Sequence, residues 1–163
     1  MEIIEIDITK EISGELYYRL IDFTVGKFPF FVFILSLTRK VNDSAKEVIE
    51  ELSPFLVKRF YSKEWPGTEL YSGQVEVFHF NLTETSAAIL KKHTTSLYQW
   101  KLPGLPEDLS IMRNAEQPWL CNVAHDDFSM FYVTPEEKAE LLKAIPELGD
   151  YLGEEWEPRA YYV

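Results

Sequence analysis

Four groups of side chains in this chain have residue types that could do chemistry. The first is His125, followed directly by Asp126 and Asp127. A carboxylate beside an imidazole raises its basicity and orients it, which is what a general base needs. The same triplet also suits a tight turn, where aspartates bond to local backbone. The second group is Glu107-Asp108, two carboxylates after Pro106 on an expected loop, suited to a cation or to an arginine partner. The third is Cys121, four positions before His125, which is roughly 13 Å along a regular strand and too far for a thiol–imidazole dyad. The last is the pair His79 and His93, which show no metal-ligand spacing with each other or with His125. His93 falls on an apolar helix face and His79 in a buried strand, so both read as core or boundary residues. The catalytic candidates are therefore His125, Asp126 and Glu107, and neither a metal site nor a cofactor is expected.

The elements that must position these residues are legible to different degrees. Ile4, Ile6 and Ile8 alternate with Glu5 and Asp7, which is strand periodicity. From Ile12 to Phe23 the spacing suits a helix, but Ser13-Gly14 would also serve as a hairpin turn, and the balance falls to a strand. The apolar stretch from Phe30 to Leu37 reads as a central strand covered on both faces. Ser44 and Glu47 have capping-box spacing, and Ala45, Val48, Ile49, Leu52, Phe55, Leu56 and Phe60 then share a helix face that Pro54 kinks or restarts. Gln74 to Phe80 is a strand, and Thr83 or Thr85 caps a second helix reaching Leu97. Three short strands follow at Leu109 to Arg113, Trp119 to His125 and Phe128 to Val133, with Trp119, Cys121 and Val123 on the same side as His125. Thr134-Pro135-Glu136-Glu137 starts a third helix that stops near Pro146.

Together these predict one α+β domain over residues 1–163, with a mixed β-sheet, about three helices, and a C-terminal meander followed by a helix. Residues 1–25 stay open between strand and helix, and 147–163 form an acidic, aromatic tail. The strands near 33 and 77 would be joined by a right-handed crossover if they are parallel neighbours.

The totals narrow the function classes. With 163 residues, 46% of them hydrophobic and 15% aromatic, the chain can build one packed core. The net charge of −11 opposes binding to nucleic acid or to anionic membranes. A single cysteine excludes an intrachain disulfide and a multi-cysteine zinc site. No secretory leader is expected at Met1-Glu2-Ile3-Ile4-Glu5, and the longest apolar stretch is too short to span a bilayer, so a cytoplasmic location is the expectation.

Several phrases occur together: Glu64-Trp65-Pro66-Gly67-Thr68, Ser96-Leu97-Tyr98 with Trp100, Leu105-Pro106-Glu107-Asp108-Leu109, and Pro118-Trp119-Leu120 followed by Ala124-His125. In this order, over roughly residues 28–133, the chain resembles a group of small bacterial proteins of no known activity. The resemblance implies a bacterial setting and no chemistry. The chain departs from the pattern at Asp126, where a glutamate would stand.

Two readings of function follow. The favoured one is a non-enzymatic, acidic protein-binding module that masks a basic partner by charge complementarity, as bacterial immunity proteins do. Its contact residues would be Glu154, Glu155, Glu157 and Trp156, with Tyr151, Tyr161 and Tyr162 as further anchors. The alternative is a small hydrolase or metal-dependent enzyme centred on His125, Asp126, Asp127 and Glu107.

Overall fold

The structure is a computed structural model that describes residues 2–157. Its frame is an eight-stranded sheet in the order β10-β1-β9-β8-β7-β2-β6-β3, in which every pairing is antiparallel. The strands are β1 (Ile4–Ile8), β2 (Phe30–Ser36), β3 (Leu56–Ser62), β6 (Val75–Asn81), β7 (Glu107–Met112), β8 (Pro118–Val123), β9 (Phe128–Val133) and β10 (Leu152–Trp156). A separate hairpin is made by β4 (Glu64–Trp65) and β5 (Thr68–Glu69). Four α-helices complete the described residues: α1 (Glu15–Thr24), α2 (Asp43–Leu52), α3 (Glu84–His93) and α4 (Pro135–Ala144). No helix among them is long and apolar enough to cross a membrane.

The α+β class and the C-terminal meander followed by a helix are present. The expected mixed sheet is instead antiparallel throughout, and the reason lies at residues 53–62. Pro54 cannot continue α2, which ends through a 3-10 turn at Ser53–Phe55. The β-branched and aromatic residues beyond it, Val57, Phe60 and Tyr61, then form a strand rather than more helix. That extra strand reverses the chain once more, so β6 returns antiparallel between β2 and β3, with Phe33 opposite Phe78.

Other boundaries shift for local reasons. Ile12 to Phe23 contributes a helix, not a strand: Gly14, at φ 65°, turns the chain into α1, and Tyr17, Leu20, Ile21 and Thr24 are buried on its inner face. Helix α2 starts at Asp43 with no side-chain cap, because the Ser44 hydroxyl donates instead to the Gly104 carbonyl at 2.7 Å. Thr83 caps α3, which ends at His93, and Leu97 follows in a 3-10 turn. The acidic tail is not an appendage: Leu152–Trp156 pairs with β1 as the last strand of the sheet. Tyr161 and Tyr162 lie outside the described residues.

Strand alternation divides the core. On β2, Phe31 and Phe33 join the main cluster beneath the four helices, while Val32 and Ile34 face the other side with Trp65, Val75, Val77 and Met112. The helix side holds a buried polar chain in which the Trp100 indole donates to the Tyr17 hydroxyl (3.0 Å), which donates to the Leu90 carbonyl (2.7 Å). This ties α1 and α3 to the 97–100 segment and satisfies two polar groups that would otherwise be costly to bury. On the far side, Trp65 of the β4–β5 hairpin packs on the smaller cluster.

The capping box at α4 is complete. Thr134 accepts from the Glu137 backbone amide at 3.1 Å, and the Glu137 carboxylate accepts from the Thr134 amide at 2.8 Å. Thr134→Ala should cost about 1 kcal/mol, read as a lower urea midpoint. An unchanged midpoint would mean that the cap does not hold the helix start.

Candidate functional site

The two strand irregularities of β7 make the site. Against β2, Val32 pairs with Ser110 but Ile34 pairs with Glu107, so Asp108 and Leu109 together face the single residue Phe33. This is a β-bulge, a device that re-aims a side chain. Asp108 adopts φ 61°, a left-handed conformation that aspartate tolerates better than most residues. Its backbone is tied on both sides: its amide donates to the Trp100 carbonyl (3.0 Å) and its carbonyl accepts from the Ser110 hydroxyl (3.4 Å). The expected loop at Glu107-Asp108 is therefore the buried start of β7, with the two residues 1% and 0% exposed.

Burying a carboxylate demands donors, and Asp108 receives three. The Trp65 indole donates to Oδ2 at 2.9 Å, the His125 ring donates through Nδ1 to Oδ2 at 2.7 Å, and the His125 amide donates to Oδ1 at 3.2 Å. Since Oδ2 accepts from both rings, the Nδ1 proton lies on His125 and Nε2 is left as its second nitrogen. Glu107 is held differently: Arg39 reaches both its carboxylate oxygens through Nη1 and Nη2. Two buried carboxylates thus meet one guanidinium and one imidazole.

The hairpin is shaped to deliver Trp65. Pro66 and Gly67 form its two-residue turn, with Gly67 at φ 81°, as a proline-glycine turn requires. A Cβ at Gly67 would lie 2.5 Å from Val123 and 2.7 Å from Cys121. Only glycine lets the turn press this closely on β8.

The opposite irregularity re-sorts β8. Ile111 pairs with Leu120 but Met112 pairs with Pro118, leaving Trp119 as the extra residue. The alternation expected from Trp119 through Val123 is broken there: Trp119 turns to the helix side with Leu120, while Cys121 and Val123 face the hairpin side. The strand ends at Val123, and Ala124–Asp126 make a 3-10 turn.

Of the candidate catalytic residues, the structure brings His125 and Glu107 into one network and leaves Asp126 at its rim. Asp126 Oδ2 is 3.6 Å from His125 Nε2, with its side chain 71% exposed. Asp127 pairs with Lys101 at 2.6 Å instead. His93 is a boundary residue, half-buried and paired with Glu51 at 2.7 Å. His79 is buried beside the Phe60 ring. Cys121 is buried against the hairpin turn. Glu154, Glu155, Trp156 and Glu157 are exposed on and just after β10.

Donor atoms of Glu107, Asp108 and His125 lie within 4.8 Å of one another, close enough to surround a cation. All four carboxylate oxygens already accept hydrogen bonds, and a metal ligand at Nδ1 would need the nitrogen that donates to Asp108. A metal ion bound at Nδ1 would have to displace that proton, and one held by Glu107 would compete with Arg39. The group as it stands supplies an oriented imidazole rather than a ligand set.

Sequence reasoning missed Arg39 and Trp65, and it treated Asp108 as a loop residue. These partners lie 68, 43 and 17 residues apart along the chain, so no local spacing marks them. One signal was available: Trp65, Glu107-Asp108 and His125 each sit in one of the phrases that carry the resemblance. In comparisons with known proteins, no family model, no curated protein and no solved structure matches this chain.

The half-buried His125 and the buried His79 pull stability in opposite directions with pH. The hydrogen bond to Asp108 raises the His125 pKa above its ordinary 6.5, against the effect of burial and aided by the charges of Asp108, Glu107 and Asp126. Its contribution is complete below about 6.5 and is lost as pH rises through the folded value. Burial, aided by Lys58, pushes His79 down to about 4. Between its ordinary 6.5 and about 4 the unfolded chain takes up a proton that the native state refuses, so stability falls as pH is lowered through that window. His125→Asn should lower the urea midpoint more at about pH 6 than at about pH 9, and His79→Leu should flatten the acid-side loss. A His125→Asn cost that is equal at both pH values would mean that no ionic hydrogen bond to Asp108 is made.

Proposed function

We propose that this chain is an acidic protein-binding module that engages a basic partner through the face formed by β10 and α4. The supporting observation is the position of β10. It ends the sheet in the order of strands, and Glu154, Glu155, Trp156 and Glu157 are exposed there, Trp156 at 51%. Glu136 and Glu140 of α4 are exposed as well, and Lys138 ties α4 to β10 by pairing with Glu155. An exposed indole among carboxylates at a strand edge offers backbone pairing, an aromatic anchor and a field that steers cations. Masking of a basic surface, in the manner of an immunity protein, is the role this face suits. The network around Asp108 then serves to hold the hairpin and the 124–126 turn in place.

A second reading retains one observation in its favour. Asp108 fixes His125 through Nδ1, which leaves Nε2 on an imidazole that is 25% exposed, the posture of a general base. If this reading holds, His125→Gln abolishes turnover of an activated ester such as p-nitrophenyl acetate, and charge changes on β10 leave that turnover alone.

The binding reading is tested with a basic strand-forming probe, Ac-Lys-Val-Lys-Val-Lys-Val-NH2, by stopped-flow and calorimetry. Reversing Glu154, Glu155 and Glu157 to lysine should slow association by about tenfold or more, and added salt should act on the wild type in the same direction. The melting temperature should change little, because these side chains are exposed. Equal association rates for the wild type and the triple variant would overturn the proposal.

A further inference from the structure

Among the described residues the sheet has two edges, β3 at one end and β10 at the other. An edge strand presents a row of backbone N–H and C=O groups with which another strand can pair. On β3 the residues Val57 to Tyr61 are all exposed, and Val57, Phe60 and Tyr61 (47%, 38% and 61%) add apolar area to that row.

The two edges carry opposite charge. Lys58 and Arg59 are exposed on β3, and Glu154, Glu155 and Glu157 on and just after β10. The match holds face by face. On the helix side, Arg59 lies over the Phe78 ring at 5.0 Å, and Glu155 pairs with Lys138 of α4. Arg59 gives Nε and Nη2 to Glu76, and a guanidinium has donors left for a second carboxylate. On the other side, Lys58 lies over the Phe60 ring at 5.0 Å, and the Trp156 indole donates to Asp7 at 3.3 Å.

Strand direction agrees as well. Eight strands paired antiparallel throughout leave β3 and β10 running in opposite directions. A second copy laid alongside in the same orientation therefore sets its β10 antiparallel to β3, with both helix layers on one side of a continuous sheet. We infer that β3 of one copy pairs with β10 of the next, Arg59 opposite Glu155 and Lys58 opposite Trp156 and diagonal to Glu154. Opposite charges and cation–aromatic pairs placed across strands in this way stabilise the pairing. The symmetric alternatives fail on charge, because β3 on β3 gathers cations and β10 on β10 gathers carboxylates. A contact between unlike edges leaves one edge open at each end, so copies add in a row and do not stop at a dimer. The net charge of −11 on every copy opposes the approach, which keeps the contact weak and dependent on concentration. The inference rests on the reading of β10 as a surface for basic strands and names a second copy as one that fits it, in competition with any basic partner.

Sedimentation equilibrium over a concentration series is the test. The wild type should rise from 19.1 kDa past twice that mass with no plateau at the dimer. Lys58→Glu should weaken association by about threefold or more, the scale of a cross-strand ion pair. Glu154→Lys should weaken it by a similar factor although it lowers the net negative charge, and the two together in one chain should restore it. Both side chains are exposed, so folding should change little. Ac-Lys-Val-Lys-Val-Lys-Val-NH2 should return the wild type toward the monomer. Binding of that peptide to Lys58→Glu, whose β10 is unchanged, tests the reading of β10 apart from self-association. A wild type that stays at 19.1 kDa, a plateau at the dimer, a Glu154→Lys variant that associates as well as the wild type, or a double variant no better than the single ones would overturn the inference.

Discussion

A carboxylate taken out of water has to be given back its hydrogen bonds, and in this fold that requirement falls on Asp108. The penalty for leaving such a charge unpaired is on the order of 3–5 kcal/mol, comparable with much of a small domain's net stability. Its three donors come from the β4–β5 hairpin and from the turn after β8, and its own backbone sits in a bulge that no plain strand would adopt. The hairpin, the turn and the sheet are therefore positioned by one group. Gly67 has to be glycine so that Trp65 can arrive, and Glu107 follows Asp108 into the interior with Arg39 as its partner.

The consequences differ on the two sides of the sheet. The helix side is a conventional apolar core, knitted by the Trp100–Tyr17–Leu90 chain. The hairpin side carries two smaller apolar clusters, joined by polar groups whose strength depends on charge state. That balance leaves His125 oriented but committed, with Nδ1 occupied by Asp108 and its remaining nitrogen near the exposed Asp126. Exposed carboxylates gather instead on α4 and β10.

Much of the fold was legible where a local rule decided it. Thr134 with Glu137 marked a helix start because both halves of a capping box lie within four residues. The two-sided burial of β2 followed from its apolar continuity, and the meander followed from its turns. What was not legible depended on register. Residues 56–62 carry apolar side chains compatible with either period, and Pro54 decided for a strand by ending α2. The bulge at Trp119 reversed the expected facing of that residue relative to Cys121, and no property of residue 119 alone signals it. At the site, His125, Glu107 and the neighbouring aspartates were visible as titratable groups. Their pairing was not, because Asp108 meets Trp65 and His125 only after the sheet has closed.

The central claim is that Asp108 organises this side of the molecule through His125 and Trp65, and imidazole ¹⁵N resonances followed across a pH titration test it most directly. The account predicts that His125 titrates above its ordinary 6.5 and that its neutral form keeps the proton on Nδ1. It predicts as well that Asp108→Asn lowers that titration point and speeds amide exchange in the hairpin at residues 64–69. A wild-type His125 that titrates at or below its ordinary value, or that is protonated on Nε2 when neutral, would contradict it.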